Sequence, residues 1–194
     1  MPPAVTDRFF RKLRAFERPL YHAHLLSLTD EDRHRRFQGA VTDAAISAHA
    51  RRLDFRKVVL SGCFIEGVLR GVGEVALEGP GDVNQDGERP AGEIAISVDP
   101  AYQGRGIGTE LTRRARRIAQ NRGAGAVWLY CLPENAPMRA IVRKLGSTVR
   151  IHDGRIDAEL QLQPPTLLSR LGESMEEGVG VWRSVSQLVL SRSA

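Results

Sequence analysis

The run Gln103-Gly104-Arg105-Gly106-Ile107-Gly108 places three glycines at alternate positions between two segments of opposite character. Before it, residues 93–98 (EIAISV) are apolar and β-branched and read as a short strand. After it, Leu111, Ala115, Ile118 and Ala119 share one stripe of a helix that Gly123 is suited to stop, with Arg113, Arg114, Arg116, Arg117 and Arg122 off the stripe. A strand, a glycine turn and a helix in that order aim unpaired N–H groups and the positive end of a helix dipole at one spot, which makes an anion site. Gly104, Gly106 and Gly108 lack the Cβ atoms that would hold a phosphate away, and they accept positive φ. The dipole contributes about 0.3 to 1 kcal/mol, so several N–H bonds must carry most of the affinity.

The kind of anion follows from what surrounds the glycines. A Walker loop needs Lys and then Ser or Thr after its last glycine, and here Thr109 and Glu110 stand there. A dinucleotide fingerprint needs its third glycine one residue later and belongs in the first βαβ unit, whereas this run lies past the middle of the chain. At these residues the sequence resembles the GNAT superfamily of N-acetyltransferases, whose signature is Gln or Arg, two residues, Gly, one residue, then Gly or Ala. Gln103 through Gly108 match it in full. The resemblance continues through residues 92–146 and, less specifically, over 19–163. It implies an α/β (α+β) fold with a mixed, mostly antiparallel central sheet flanked by helices, in which the parallel fourth and fifth strands splay apart. Residues 1–18 and 164–194 would then be extensions, the second helical. The segment SLTDEDRHRRFQGAVTDAAI also resembles the entry to the acetyltransferase domain of bacterial protein-lysine acetyltransferases.

The remaining chain gives coarser signals. Residues 20–28 (LYHAHLLSL) alternate loosely like a strand, and Thr29 and Thr42 are suited to cap two helices that follow. Residues 57–78 read as strands joined by a tight turn, 79–92 as a polar surface loop, and 126–132 (AVWLYCL) as a buried strand. A helix then ends at Gly146, a strand covers 155–162, and a break at residues 163–165 precedes an apolar-rich end.

The resemblance assigns roles to particular residues. Loop amides from Gln103 to Thr109 (Gly104, Arg105, Gly106, Ile107 and Gly108 between them) would hold the pyrophosphate of acetyl-CoA. Backbone groups of Ile96 and Val98 would bond the pantetheine arm, with Asn135 contacting it from the next helix. As plain chemistry, Asn135 is equally an N-cap. Acetyl transfer to an amine needs a neutral amine, support for the oxyanion and a proton for the departing thiolate. Glu93 is the candidate base, provided that partial burial raises its ordinary pKa of about 4.3. Glu66 and Glu74 are runners-up. The family's tyrosine acid would fall at Val142, which cannot donate a proton, so Tyr130, Cys131 or solvent must serve. Ser147 replaces the aromatic that commonly follows Gly146. Arg113 to Arg117 either meet the 3′-phosphate or form a solvated face.

Composition limits the partners. There are 28 basic residues, only three of them lysine, against 23 acids, giving net charge +5 and a pI near 9.8. This favours an anionic ligand but not nucleic acid, since the arginines lack interleaved aromatics. Cys63, Cys131 and the five histidines show no metal-ligand spacing, so no metal is expected. No apolar stretch marks a leader or a membrane span, and a cytoplasmic protein without membrane association is expected. The expected function is transfer of an acetyl group from acetyl-CoA to an amine on a small molecule or a protein lysine. A non-catalytic acyl-CoA-binding regulatory module is the alternative. The apolar residues after Pro165 suit either a homodimer surface or a helix docked on its own domain.

Overall fold

The computed structural model describes residues 8–77, 89–152 and 154–191. Seven strands form one sheet in the order β1-β2-β3-β4-β5-β7-β6. They are β1 (Arg8–Lys12), β2 (Val58–Ile65), β3 (Val68–Leu77), β4 (Ala91–Val98), β5 (Ala126–Cys131), β6 (Thr148–His152) and β7 (Arg155–Gln161). Every neighbouring pair is antiparallel except β4 with β5. The helices are α1 (Arg18–Leu26), α2 (Asp30–Phe37), α3 (Asp43–Arg52), α4 (Ile107–Asn121), α5 (Ala136–Lys144) and α6 (Leu167–Ser191). Residues 79–88 of the expected polar loop and residues 1–7 of the N-terminal segment lie outside the described residues.

The strand expected at residues 20–28 is corrected to helix α1. Tyr21, Leu25 and Leu28 are buried together, and their spacing of four and three is helical. The apparent alternation mixed one buried stripe with exposed positions such as Leu20. Thr29 and Thr42 cap α2 and α3, their hydroxyls accepting the Asp32 and Ala45 N–H groups at 3.2 Å each. The β2–β3 turn is Glu66-Gly67, both at positive φ (52° and 76°), the geometry whose twist matches the strands it joins.

Alternation along the strands divides the core between two faces. Val72 packs with Tyr21, Leu25 and Ile46 of α1 and α3. Val75 and Ile94 pack with Ala115, Ile118 and Ala119 of α4. Glu74 and Glu93 accordingly turn toward the face that carries α1–α3. Among the described residues no helix is long and apolar enough to cross a membrane.

Candidate active site

A cleft opens where β4 and β5 part. Their parallel register pairs Ala91 with Ala126, Gly92 with Val127 and Glu93 with Trp128, then stops. On its other edge β4 stays paired with β3 from Gly92 to Val98, and one step beyond, the Asp99 N–H donates to the Arg70 carbonyl at 2.8 Å. Antiparallel bonding alternates along a strand, so Ile96 and Val98 aim their N–H and C=O groups away from β3, into the gap.

The glycine run closes one end of this cleft. Gly104 (φ +73°) and Gly106 (φ +76°) occupy the left-handed region, and Gly106 is the N-cap of α4 without any side chain to cap it. The first N–H to bond back is that of Glu110, to the Gly106 carbonyl at 3.1 Å, so Ile107, Gly108 and Thr109 begin the helix with N–H groups free of intrahelical partners. The buried Ile107 side chain anchors the turn. Gly108 has a second reason to be glycine, since a Cβ there would meet Ile141 Cδ1 of α5 at 3.3 Å. The Gln103 side-chain amide donates to the Val98 carbonyl at 3.1 Å and to Asp32 Oδ1 at 3.0 Å, tying the loop to β4 and α2.

These walls enclose a cavity of about 540 Å³. Glu93, Ile96, Val98, Gln103, Gly104, Gly106, Ile107, Gly108, Thr109, Tyr130 and Asn135 all line it. Arg105 does not: its guanidinium lies 5.1 Å from the Tyr102 ring centroid and donates to the Ala101 carbonyl at 3.1 Å. Asn135 is the N-cap of α5, its Oδ1 accepting the Met138 N–H at 3.1 Å, and it borders the cavity as well.

The candidate acids and bases differ sharply in setting. Glu93 is exposed at the cavity wall, so the burial that its role as a base requires is missing in the free chain. Tyr130 stacks on Trp128 at 6.3 Å between centroids. Burial first, then the charges of Glu93 and Asp157, push its phenol above the ordinary range. Val142 sits in the core. Cys131 is buried and its thiol is pushed up by that burial, the setting of a small hydrophobe rather than a nucleophile. Glu66 stands at the tip of the β2–β3 turn.

Glu74 is engaged elsewhere. Its Oε2 accepts from Arg36 Nη2 at 2.6 Å and from the Tyr21 hydroxyl at 2.5 Å, while His49 Nε2 lies 2.9 Å from that hydroxyl. Burial alone raises a carboxyl, but here the Arg36 guanidinium, helped by His49 and Tyr21, overrides it and holds Glu74 down at about 2. Nearby, His24 Nε2 lies 2.9 Å from Ser97 Oγ with Nδ1 buried and unpartnered, and burial pushes its imidazole down to about 4. Through Asp32, Arg35 and Arg36, with Gln38 at its C-cap, α2 supplies a charged cavity wall that the sequence did not disclose. No periodic signal marks these residues, because α2 is seated by the nonlocal Arg36–Glu74 pair rather than by an apolar face.

The suggestion that Arg113 to Arg117 meet a phosphate is corrected for three of them. Arg113 and Arg114 pair with Glu110 at 2.7 Å each, and Arg113 and Arg117 pair with Glu176 of α6 at 2.8 and 2.6 Å. Among the described residues no group of three His, Cys, Asp or Glu is placed to hold a metal ion.

A split sheet with an anion cradle at one end and a carboxylate beside a phenol at the other defines an α/β protein built for an elongated anionic ligand. The model of the acetyltransferase (GNAT) family matches residues 16–146, and the chain belongs to that family. It is 44% identical over 68 residues to a mycothiol acetyltransferase of Saccharomonospora viridis, a match covering 34% of this chain and 22% of the relative. The chain thus spans about a fifth of that relative's length. The fold is similar to the GNAT domain of S. lividans PAT (TM-score 0.64, 21% identity, 79% of this chain and 89% of that one). It is also similar to yncA of Salmonella typhimurium, solved with its cofactor acetyl-CoA (TM-score 0.58, 18% identity, 83% and 97%).

Proposed function

We propose that the protein is an acetyl-CoA-dependent N-acetyltransferase that moves the acetyl group directly to an amine while both substrates are bound. One observation carries this reading: the uncapped N-terminus of α4, bared by two left-handed glycines, opens into the gap into which Ile96 and Val98 turn unpaired backbone groups, with the exposed Glu93 lining the same cavity. The cradle and the gap fit a ligand with a diphosphate at one end and an amide-bearing arm. N–H groups from Gly104 to Thr109 would take the diphosphate, and the backbone of Ile96 and Val98 the arm, with Asn135 alongside. Bound acetyl-CoA supplies the thioester carbonyl that the amine attacks.

Glu93 takes the proton of the acceptor amine, directly or through one water. Its exposure leaves it open to the acceptor that enters the cavity. The Val98 N–H is placed to polarise the thioester carbonyl. Tyr130, its phenol held protonated at neutral pH, gives a proton to the thiolate as it leaves. The acceptor is a primary amine of a small molecule or a protein lysine, and the relative named for mycothiol supports the first. The site of action is cytoplasmic in this reading.

A regulatory module that binds acyl-CoA without turnover is favoured by one fact alone, the buried Val142 where a proton donor would otherwise stand. Melting the protein with acetyl-CoA, CoA and NAD tests the assignment. Saturation at about 100 times Kd adds about 2.7 kcal/mol of stability, expected with the two CoA species and not with NAD. Gly106→Val, forced to φ +76° with a branched side chain in the cradle, should lose both shifts. Retained shifts would remove the loop from the binding site. Thiol release with any of a panel of amines then separates the enzyme from the module.

A further inference from the structure

Helix α6 is amphipathic with its polar side turned inward. Glu173 pairs with Lys12 and accepts from Asn121 Nδ2 at 2.5 Å, and Glu176 holds Arg113 and Arg117 of α4. Glu177 takes the Lys12 N–H at 3.0 Å. A Cβ built on Gly180 would fall on the Phe10 carbonyl oxygen of β1, so the helix lies hard against the domain and cannot roll over. Its outer side carries Leu168, Leu171, Met175, Val179, Trp182 and Val185, each between 54% and 81% exposed. Their spacing of three and four makes one continuous stripe about 26 Å long. Monomeric proteins rarely leave so large an apolar patch uncovered.

We propose that this stripe is covered by the α6 of a second copy of the chain, packed antiparallel about a two-fold axis between residues 176 and 177. Under that axis Leu168 meets Val185 and Leu171 meets Trp182, large against large at both ends, while at the centre Met175 meets Gly178 and Val179 meets Ser174, large against small. There the methionine enters the space over an exposed glycine, where a Cβ would touch nothing within 4 Å. A stripe that matches its own reverse in this way is what an isologous contact requires. Six large side chains, each more than half exposed, offer at most roughly the 800 Å² per partner of a standard-size interface, enough for a weak, reversible one when only part is covered. A membrane surface is the poorer occupant. Helices that lie on lipid carry many basic residues on a solvated polar side, whereas among the described residues this one exposes only Arg170 and Arg183, and its Glu173, Glu176 and Glu177 are engaged with the domain.

Sedimentation velocity of the full chain across the micromolar range should show a reversible dimer. Leu171→Glu and Trp182→Glu should each weaken it at least about a hundredfold, with circular dichroism, CoA binding and turnover unchanged. The pairing direction is read by a short bis-maleimide. Met175→Cys, next to the axis, should cross-link to its own copy, while Leu168→Cys, at opposite ends of the pair, should not. The native Cys63 and Cys131 are buried and contribute little background. A wild-type monomer at every concentration overturns the proposal, and a monomer that sediments with phosphatidylglycerol vesicles assigns the stripe to lipid instead. Cross-linking of both cysteine variants overturns the antiparallel arrangement. Should a glutamate variant fail to fold, the cysteine pair still decides.

Discussion

Glu74 and Glu93 stand on neighbouring strands and turn toward the same side of the sheet, yet the protein treats them oppositely. Glu74 is buried, saturated by Arg36 and Tyr21, and held ionised to about pH 2. Glu93 is exposed on the cavity wall. The difference teaches that a carboxylate with a fixed counter-ion has no capacity left for a proton, while one without can respond to whatever binds beside it. Glu74 therefore seats α2 on the sheet, and Glu93 is left to meet the acceptor.

Breaking the closed member of this pair should have the largest effect. Glu74→Gln leaves the buried Arg36 without its ion-pair partner, and loss of about 3 kcal/mol of stability is expected in chemical denaturation. A loss below about 1 kcal/mol would mean that the pair is no anchor. The pH dependence of the wild type sharpens the same point. Glu74 has a folded pKa of about 2 against an ordinary 4.5, so its contribution is complete above about 4.5 and disappears as pH falls toward 2. His24, lowered to about 4 from 6.5, acts with the same sign over the window from about 6.5 down to 4. Acid should thus weaken the fold in two stages, and His24→Gln should remove the first, as monitored by melting temperature against pH.

The open member should matter for rate instead. Glu93→Gln is expected to lower kcat about a hundredfold, roughly 2.7 kcal/mol in the barrier, with acetyl-CoA binding and stability nearly unchanged. Unchanged turnover would remove Glu93 from the mechanism. The smallest effect belongs to Tyr130→Phe, less than about tenfold in kcat, because a thiol leaving group with a pKa of about 8.5 departs readily without a donor near that pH. The deficit should shrink further as pH rises. A constant deficit would make Tyr130 a packing residue against Trp128 rather than an acid.

Local chemistry was legible where neighbours in sequence act together. The Gln103–Gly108 turn, the caps at Thr29 and Thr42, and the short apolar strands that became β4 and β5 are marked by residues close together in sequence, and all are present as read. Residues 20–28 misled because their true stripe is recognised only from what Tyr21, Leu25 and Leu28 pack against. The cavity wall from α2 was invisible for the same reason, since Arg36 finds Glu74 across 38 residues.

By itself, then, the sequence determined that a bared helix N-terminus follows a strand, because glycine spacing fixes backbone conformation locally. Only the tertiary structure decided which glutamate is free and which is held, which arginines are already paired, and that α6 turns its apolar side outward. Each of those outcomes is a choice between partners far apart in the chain, settled by burial and charge rather than by local pattern.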